Sequence, residues 1–275
     1  MKRLLVIQYL SIDVCLGAAA SAYFAGHLLH AGLNFYFYIS LILAVYGIYN
    51  IDHFFDSRSS QEMPDERRKF HKRHALFLFS TSTAALSLSP AVAFSFFPAP
   101  AIFAGIVLGF FMILYMALVY FRVSTLAKEI LAASGFTAGV WLMPLAWGGR
   151  INPTLILPVA GIFFLACLLN LYGYALSDNA ADSALGQSSM AISVSNRFTA
   201  ALNHILLAAG LILFAVGVWE NGLRRPLVLV FIHFVSQYVL TVLFFFGTSP
   251  RFVRLAGEMT FLIFFLPAFL KDIPV

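Results

Sequence analysis

Charged residues are scarce in this chain: aspartate, glutamate, lysine and arginine together make up 11% of its 275 residues. Hydrophobic residues make up 61%, and the mean hydropathy is +0.89. This composition excludes an ordinary soluble domain, in which charged residues account for about 25% of the chain. Because only 12 residues are acidic, the position of each aspartate and glutamate is informative.

Cysteine is rarer still, since Cys15 and Cys167 are the only two in the sequence. Two cysteines without a surrounding motif exclude a disulfide framework and a cysteine-rich zinc site. Both lie in apolar runs, where a free thiol behaves as a small hydrophobic group. We therefore expect both to pack in the interior.

Long apolar runs are what the sequence does contain. A helix needs about 20 residues to cross the roughly 30 Å of hydrocarbon in a bilayer, and such runs follow one another with almost no room for a soluble domain. The sequence therefore predicts an all-α integral membrane protein whose residues 1–275 form a single domain. Two prolines predict a tight outer turn at 97–100, between the third and fourth runs. The predicted spans, about nine in number, are 4–26, 33–55, 76–97, 99–121, 127–148, 154–177, 199–219, 226–247 and 254–271.

The distribution of lysine and arginine predicts the orientation, because short loops rich in these residues stay in the cytoplasm. With the N-terminus inside, 13 of the 17 basic residues fall on the cytoplasmic face and four fall outside. The net charge of +5 therefore indicates topology and not a nucleic-acid partner. The first run is too long for a signal peptide and lacks a small-residue cleavage site, so we expect it to be retained.

One acidic pattern, Asp-x-x-x-Asp, occurs twice, at Asp52/Asp56 and at Asp178/Asp182, each time at the end of an apolar run. Carboxylates four residues apart share a helix face and repel one another unless a cation lies between them. A single such pair is also typical of an exposed helix end. Two pairs on the same predicted face indicate a site for divalent metal ions and a diphosphate.

The residues around these pairs extend the pattern. Asn170 and Tyr174 precede Asp178 at intervals of four, so one helical stripe carries an amide, a phenol and two carboxylates. Tyr49 shares a face with Asp52 and Asp56. A loop of about 20 residues follows Asp56, and its basic run at 65–74 is compatible with a solvated loop that sets orientation or with an anion-binding segment.

These motifs resemble those of the UbiA-type intramembrane prenyltransferase superfamily. We therefore interpret the chain as a divergent member of that superfamily. That family has nine transmembrane helices, an N-x-x-x-D-x-x-x-D motif after the second and a D-x-x-x-D motif after the sixth. This chain has I-Y-N-I-D-H-F-F-D at 48–56 and D-N-A-A-D-S-A-L-G-Q-S-S at 178–189, in the matching places. It also has Tyr120-Phe-Arg122 and Lys128 between the fourth and fifth spans, where the family carries Tyr and basic residues near the diphosphate.

The first motif departs from the family at one position. The family asparagine would fall at residue 48, which is Ile48 here, and the nearest asparagine is Asn50, on a different helical face. Either Asn50 reaches the substrate through a local distortion, or that contact is missing.

The resemblance implies a bundle around a central cavity and a Mg²⁺-dependent transfer of a prenyl group from its diphosphate to a lipophilic acceptor within the membrane. Such a site must neutralise the charge that develops on the diphosphate and shield an allylic cation from water. The implied metal ligands are Asp52, Asp56, Asp178 and Asp182. The implied substrate-binding residues are Arg58, Tyr120, Arg122, Lys128, Asn170, Tyr174, Asn50 and Tyr49.

Other functions also fit parts of the sequence. A non-catalytic isoprenoid- or lipid-binding relative is compatible with Ile48, and a transporter also places ionisable residues inside a helical bundle. His53, His71 and His74 near the first acidic pair are compatible with a transition-metal site, although oxygen ligands and phosphate chemistry favour magnesium. His204 and His233 lie in apolar runs and are expected to pack or to form interhelical hydrogen bonds.

Asp13 stands near the middle of the first apolar run. A carboxylate at that depth costs a few kcal/mol and is expected to face the bundle interior. There it lines the pocket for the acceptor or makes a structural hydrogen bond, and the sequence does not choose between these roles.

Overall fold

The computed structural model describes residues 2–56, 66–120, 126–148, 152–184, 196–246 and 248–266. These ranges are almost entirely helical and contain no strand, which confirms the predicted all-α architecture. The first six helices are α1 (Lys2–Tyr9), α2 (Ile12–Leu28), α3 (Phe35–Asp56), α4 (Glu66–Arg73), α5 (Ala75–Phe96) and α6 (Ala99–Tyr120). They are followed by α7 (Leu126–Ala146), α8 (Pro153–Ala184), α9 (Asn196–Asn221), α10 (Arg225–Phe245) and α11 (Pro250–Thr260), which continues into a 3₁₀ turn at Phe261–Phe265.

Seven of the described helices are long and apolar enough to cross a membrane. They correspond to the second to eighth predicted spans, and the shorter apolar helix α2 occupies most of the first. The tight turn predicted between the third and fourth spans is confirmed, since α5 ends at Phe96 and α6 begins at Ala99.

The prediction of one continuous helix over the first span, 4–26, was wrong. The chain breaks between α1 and α2 at Ser11, whose φ of 55° and ψ of 27° are left-handed. The side chain of Asn50 on α3 donates a hydrogen bond to the Leu10 carbonyl at 3.3 Å and another to the Tyr46 carbonyl at 2.9 Å. A backbone break in an apolar bundle is tolerated where protein groups satisfy the freed carbonyl, and Asn50 does so here.

Part of the segment predicted as a loop after Asp56 is helical. Helix α4 has the sequence E-R-R-K-F-H-K-R. The ring of Phe70 on this helix packs against the ring of Tyr9 on α1, with the ring centroids 5.3 Å apart. Arg68 and His71 are buried on this short helix, with 4% and 2% of their surface exposed. Helix α4 therefore turns two basic side chains inward at the end of the bundle where α3 terminates.

The last span also differs from the prediction of one helix over 254–271. Helix α11 begins earlier, at Pro250, and Ser249 caps it by accepting a hydrogen bond from the Phe252 N–H at 3.4 Å. It tightens to a 3₁₀ turn after Thr260. Residues 267–275 lie outside the described part of the chain.

The core of the bundle is centred on α8. Ile162, Phe163 and Leu169 of this helix have no exposed surface, and α8 packs against α7, α9, α10 and α11. Cys15 and Cys167 are buried as predicted, each with 3% of its surface exposed.

Candidate functional site

Tyr49 stands at the centre of the described bundle. It lies on α3 one turn before Asp52, and its hydroxyl is within electrostatic range of Tyr115 on α6, Cys167 on α8 and Glu258 on α11. The ring is half-buried and packs against an apolar cluster formed by α2 and α3.

Tyr174 occupies the equivalent place on α8, one turn before Asp178. Its hydroxyl forms a short hydrogen bond to the carboxylate of Glu258 and also lies 3.1 Å from the Arg254 carbonyl. Asn170, one turn earlier, donates from Nδ2 to Glu258 Oε1 at 3.1 Å. The described part of the predicted polar stripe therefore faces protein, and its amide and phenol meet on one carboxylate of α11.

Glu258 is the functional-site candidate that sequence reasoning missed. It has 5% of its surface exposed, and Arg254, one turn earlier, stacks its guanidinium 4.7 Å from the centroid of the Tyr174 ring. The sequence did contain a signal for this residue, because Glu258 is an ionisable residue inside the predicted span 254–271. The rule that marks Asp13 as an interior residue also marks Glu258.

Gln237 on α10 and Gly257 on α11 complete the packing around this carboxylate. Gln237 donates from Nε2 to the Gly257 carbonyl at 3.0 Å and to Thr260 Oγ1 at 2.9 Å. These bonds fix α11 against α10 at the level of Glu258. The absence of a side chain at Gly257 lets Asn170 approach the backbone of α11 closely.

Asp13 lies in the first turn of α2 and has 2% of its surface exposed. Its Oδ1 accepts a hydrogen bond from the Val14 N–H at 3.0 Å, which suits a carboxylate at a helix N-terminus. Its Oδ2 is buried and has no hydrogen-bond partner among the described residues. The prediction that Asp13 faces the bundle interior is confirmed.

The end of α3 carries Asp52, which is half-buried, and His53, whose ring centroid lies 4.7 Å from that of His71 on α4. Among the described side chains, no group of three or more His, Cys, Asp or Glu residues is arranged to hold a metal ion. The side chains of Asp56, Asp178 and Asp182 are not among those described, so the predicted magnesium ligands stay a prediction.

The other predicted site residues divide by what the structure describes. Asp56 ends α3, Tyr120 ends α6, Lys128 is in the first turn of α7, and Asp178 and Asp182 are in the last two turns of α8. The side chains of these five residues lie outside the description. Arg58 and Arg122 lie outside the described residues altogether.

Asn50 is fully buried, and its side-chain N–H groups are directed at the Leu10 and Tyr46 carbonyls. Its amide is therefore engaged with the protein at the break between α1 and α2. Whether it also contacts a substrate stays a prediction.

Aromatic rings pack beyond the polar cluster, nearer the start of α8 and in the 3₁₀ turn that follows α11. Phe163 and Phe261 lie 6.1 Å apart in an edge-to-face arrangement, and Phe136 packs on both of them. His233 of α10 has no exposed surface and packs against Phe261 at 4.3 Å, as expected for an interior histidine. His204 on α9 lies 3.5 Å from the Tyr238 hydroxyl.

Solved structures of UbiA homologues match nearly the whole chain. A UbiA homologue from Archaeoglobus fulgidus bound to GPP and Mg²⁺ superposes with a TM-score of 0.74 at 13% identity, over 96% of this chain and 97% of that one. The apo structure of a UbiA homologue from Aeropyrum pernix K1 superposes with a TM-score of 0.67 at 15% identity, over 94% and 99%. The chain has the UbiA-type prenyltransferase fold.

A third structure with the UbiA-type fold, of a digeranylgeranylglyceryl phosphate synthase, gives a TM-score of 0.58 at 16% identity, over 98% of this chain and 99% of that one. By sequence, no protein-family profile and no curated protein matches the chain. The UbiA-type fold and the apolar helices together make this a multi-pass integral membrane protein. The total of nine spans and the single domain over residues 1–275 stay predictions.

Proposed function

We propose that the chain is a prenyltransferase that moves a prenyl group from a prenyl diphosphate to a lipophilic acceptor within the membrane, with Mg²⁺ as cofactor. One observation carries this proposal. Tyr174, one turn before Asp178, hydrogen-bonds Glu258, and Tyr49, one turn before Asp52, is within electrostatic range of the same carboxylate. This supports a site to which α3 and α8 both contribute, in a fold shared with a homologue bound to GPP and Mg²⁺.

The residues at these helix ends fit magnesium by their chemistry. Mg²⁺ prefers carboxylate and phosphate oxygens and keeps part of its water shell, and it is commonly held by one or two carboxylates together with substrate phosphates. Bound magnesium would neutralise the charge that develops on the departing diphosphate. The residues that would hold it are Asp52, Asp56, Asp178 and Asp182.

Basic side chains supply the rest of the diphosphate contacts in this proposal. Arg58, Arg122 and Lys128 carry the charge, and Tyr120 donates a hydrogen bond. To these we add Arg68, which α4 buries at the end of the bundle where α3 terminates.

The chain's own apolar side chains would keep water from the allylic cation. The aromatic rings of Phe136, Phe163 and Phe261 pack together beyond the polar cluster, on the side away from the acidic motifs, and would form part of the apolar surroundings of the prenyl tail. Tyr49, one turn before Asp52, would stabilise the cation through its π face.

In this proposal the N-terminus and both acidic motifs face the cytoplasm, and the prenyl diphosphate, the acceptor and the surrounding lipids are the partners. The lysine and arginine distribution supports the orientation. The acceptor is a lipophilic molecule whose identity is open at this stage.

Two alternative functions can be distinguished from prenyl transfer by whether the diphosphate ester is cleaved. A non-catalytic lipid-binding relative and a transporter both leave the diphosphate ester intact. We would incubate the purified full-length chain with labelled geranyl diphosphate, Mg²⁺ and a lipid extract, and measure released diphosphate and labelled lipid by mass spectrometry. Mg²⁺-dependent formation of both products is expected, and intact geranyl diphosphate after incubation would rule out the enzyme.

The metal assignment is tested in the same assay with Asp178→Ala. Loss of one carboxylate ligand is expected to lower product formation by roughly a hundredfold or more. The matched control is Glu220→Gln, which removes an acidic charge from the exposed outer end of α9. An Asp178→Ala protein as active as the control would contradict the assignment.

A further inference from the structure

The prenyl-transfer proposal leaves two buried carboxylates without a role. Asp13 on α2 and Glu258 on α11 have 2% and 5% of their surface exposed. Each lies in a segment predicted to be inside the membrane, where an ionisable side chain needs a partner or a function.

The packing of α2 against α11 brings these two carboxylates to the same level. A Cβ atom on Gly17 would lie 3.1 Å from the Phe261 Cβ, and further along the same helices Phe24 packs on Phe264 at 4.9 Å. The two segments therefore run in the same direction. One turn back from the contact of Gly17 with Phe261 lie Asp13 and Glu258, and each carboxylate is within electrostatic range of the other.

Arg254 acts on both carboxylates and Arg67 acts on Asp13, while Tyr174, Tyr49 and Cys15 lie within electrostatic range of one or both. The positive charge of the arginines offsets part of the cost of holding two carboxyl groups in the interior. A proton taken up from a bound ligand would further reduce the charge repulsion between the two groups.

The hydrogen bonds of the pair are incomplete. Glu258 accepts from Asn170 and Tyr174 on Oε1. Asp13 Oδ2, by contrast, is buried and has no hydrogen-bond donor among the described residues. An orphaned buried acceptor of this kind costs about 1–3 kcal/mol, and a protic group of a bound ligand would satisfy it.

The pair also lies at the depth where the acceptor must meet the donor. Glu258 bonds to Tyr174, which is one helical turn, or about 6 Å, before Asp178 on the membrane side. The prenyl tail extends from the diphosphate toward the membrane. The first carbon of the prenyl group therefore falls between the acidic motifs and the carboxyl pair.

We propose that Asp13 and Glu258 form the acceptor end of the site, where they bind the hydroxyl group of a lipophilic alcohol or phenol and take up its proton. This inference rests on the prenyl-transfer function proposed above. In the step, the bond from the prenyl carbon to the diphosphate oxygen breaks, and its electron pair leaves with the diphosphate. A lone pair of the acceptor oxygen forms the new carbon–oxygen bond, and the proton of that hydroxyl passes to the carboxyl pair through Asp13 Oδ2, the acceptor to which it is hydrogen-bonded.

The experiment compares the wild-type chain with Glu258→Gln and Asp13→Asn. Each protein is incubated with labelled geranyl diphosphate, Mg²⁺ and the lipid extract, and labelled lipid, labelled geraniol and diphosphate are all counted. Both variants are expected to keep releasing diphosphate while the yield of labelled lipid per diphosphate falls by roughly a hundredfold, because water captures the cation. An unchanged yield per diphosphate in both variants would overturn the inference.

A purely structural role for Glu258 gives a different pattern. The glutamine of Glu258→Gln still accepts bonds from Asn170 and Tyr174, so a structural role predicts lower thermal stability with an unchanged product ratio. Glu258→Asp keeps the carboxylate and is expected to recover part of the ratio. If Glu258→Gln does not fold, the test rests on Asp13→Asn and Glu258→Asp. A wild-type ratio of labelled lipid to diphosphate in both of these variants would reject the proposal.

The hydroxyl requirement is tested with two probe acceptors of similar shape, 4-nonylphenol and its methyl ether 4-nonylanisole, and with product analysis of the labelled lipid. We expect the labelled lipid to contain an ether linkage. We also expect transfer to 4-nonylphenol and none to 4-nonylanisole. A product prenylated on carbon, or equal transfer to the methyl ether, would overturn the acceptor class. A wild-type chain that releases no diphosphate would instead defeat the prenyl-transfer function itself.

Discussion

The side chain of Asn170 occupies the space that a side chain at Gly257 would fill. A Cβ atom on residue 257 would lie 2.6 Å from Asn170 Oδ1 and 3.5 Å from Gln237 Oε1. The missing side chain at Gly257 lets α8 approach α11 closely enough for Asn170 to hydrogen-bond Glu258. The geometry of the Glu258 cluster therefore depends on a glycine that carries no chemistry of its own.

Gly257→Ala is expected to turn the Asn170 amide away from Glu258. The lost hydrogen bond and the unsatisfied buried groups should lower the free energy of unfolding by about 1–3 kcal/mol. Thermal unfolding in detergent measures this change. The matched control is Gly105→Ala, where the nearest atom to the new Cβ is Met143 Cε at 3.8 Å, and equal melting temperatures for the two variants would contradict the prediction.

Gly210→Ala tests the packing of α9 against α10. The new Cβ would lie 2.3 Å from two carbon atoms of the Phe234 ring, which has no exposed surface and little room to move. Overpacking of this kind costs about 1–3 kcal/mol or more, so the melting temperature should fall clearly. Gly109→Ala on α6 meets no atom within 4 Å and should leave the melting temperature nearly unchanged.

Asn50→Ala removes the donor that bonds the Leu10 carbonyl at the break between α1 and α2. The Leu10 carbonyl then loses its partner in the interior, at a cost of about 1–3 kcal/mol in the free energy of unfolding. Asn221→Ala is the control, because Asn221 makes similar bonds to Thr154 and Gly217 at the half-exposed end of α9, where water can replace them. A melting temperature that drops equally in both variants would count against the role of Asn50.

The orientation is tested by cysteine labelling in intact cells with a membrane-impermeant maleimide. Cys15 and Cys167 are buried and should not react, so single cysteines are introduced in the natural background. Glu66→Cys on α4 should label only after the membrane is permeabilised, and Glu220→Cys on α9 should label in intact cells. The reverse result would place the acidic motifs outside the cell.

The spans that could be predicted from the sequence are those whose apolar runs have clear ends. The prolines at 98 and 100 marked the turn between α5 and α6, and the structure places it there. The break at Ser11 has no such signal, because neither glycine nor proline stands at residues 10–11. It depends on an amide from Asn50, 40 residues away, and such a contact is invisible to local reasoning.

In the candidate site, too, some features could be predicted from local sequence and others could not. The helical spacing of Asn170 and Tyr174 predicted a shared face on one helix, and both side chains hydrogen-bond Glu258. Glu258 was hidden because it stands one turn inside the edge of the last predicted span, among basic residues that were interpreted as topology signals. Helix α4 was missed because its short charged sequence has no apolar periodicity.

Helix α8 is longer than a bilayer is thick. Its 32 residues extend over about 48 Å, whereas the hydrocarbon of a bilayer measures roughly 30 Å, and its apolar part ends at Leu176. The remaining eight residues, which include Asp178 and Asp182, add about 12 Å of helix beyond this apolar part. For the proposed function, this extension would let ions and the released diphosphate exchange with bulk water while apolar substrates enter sideways from the lipid, so that the two would not need a common entrance.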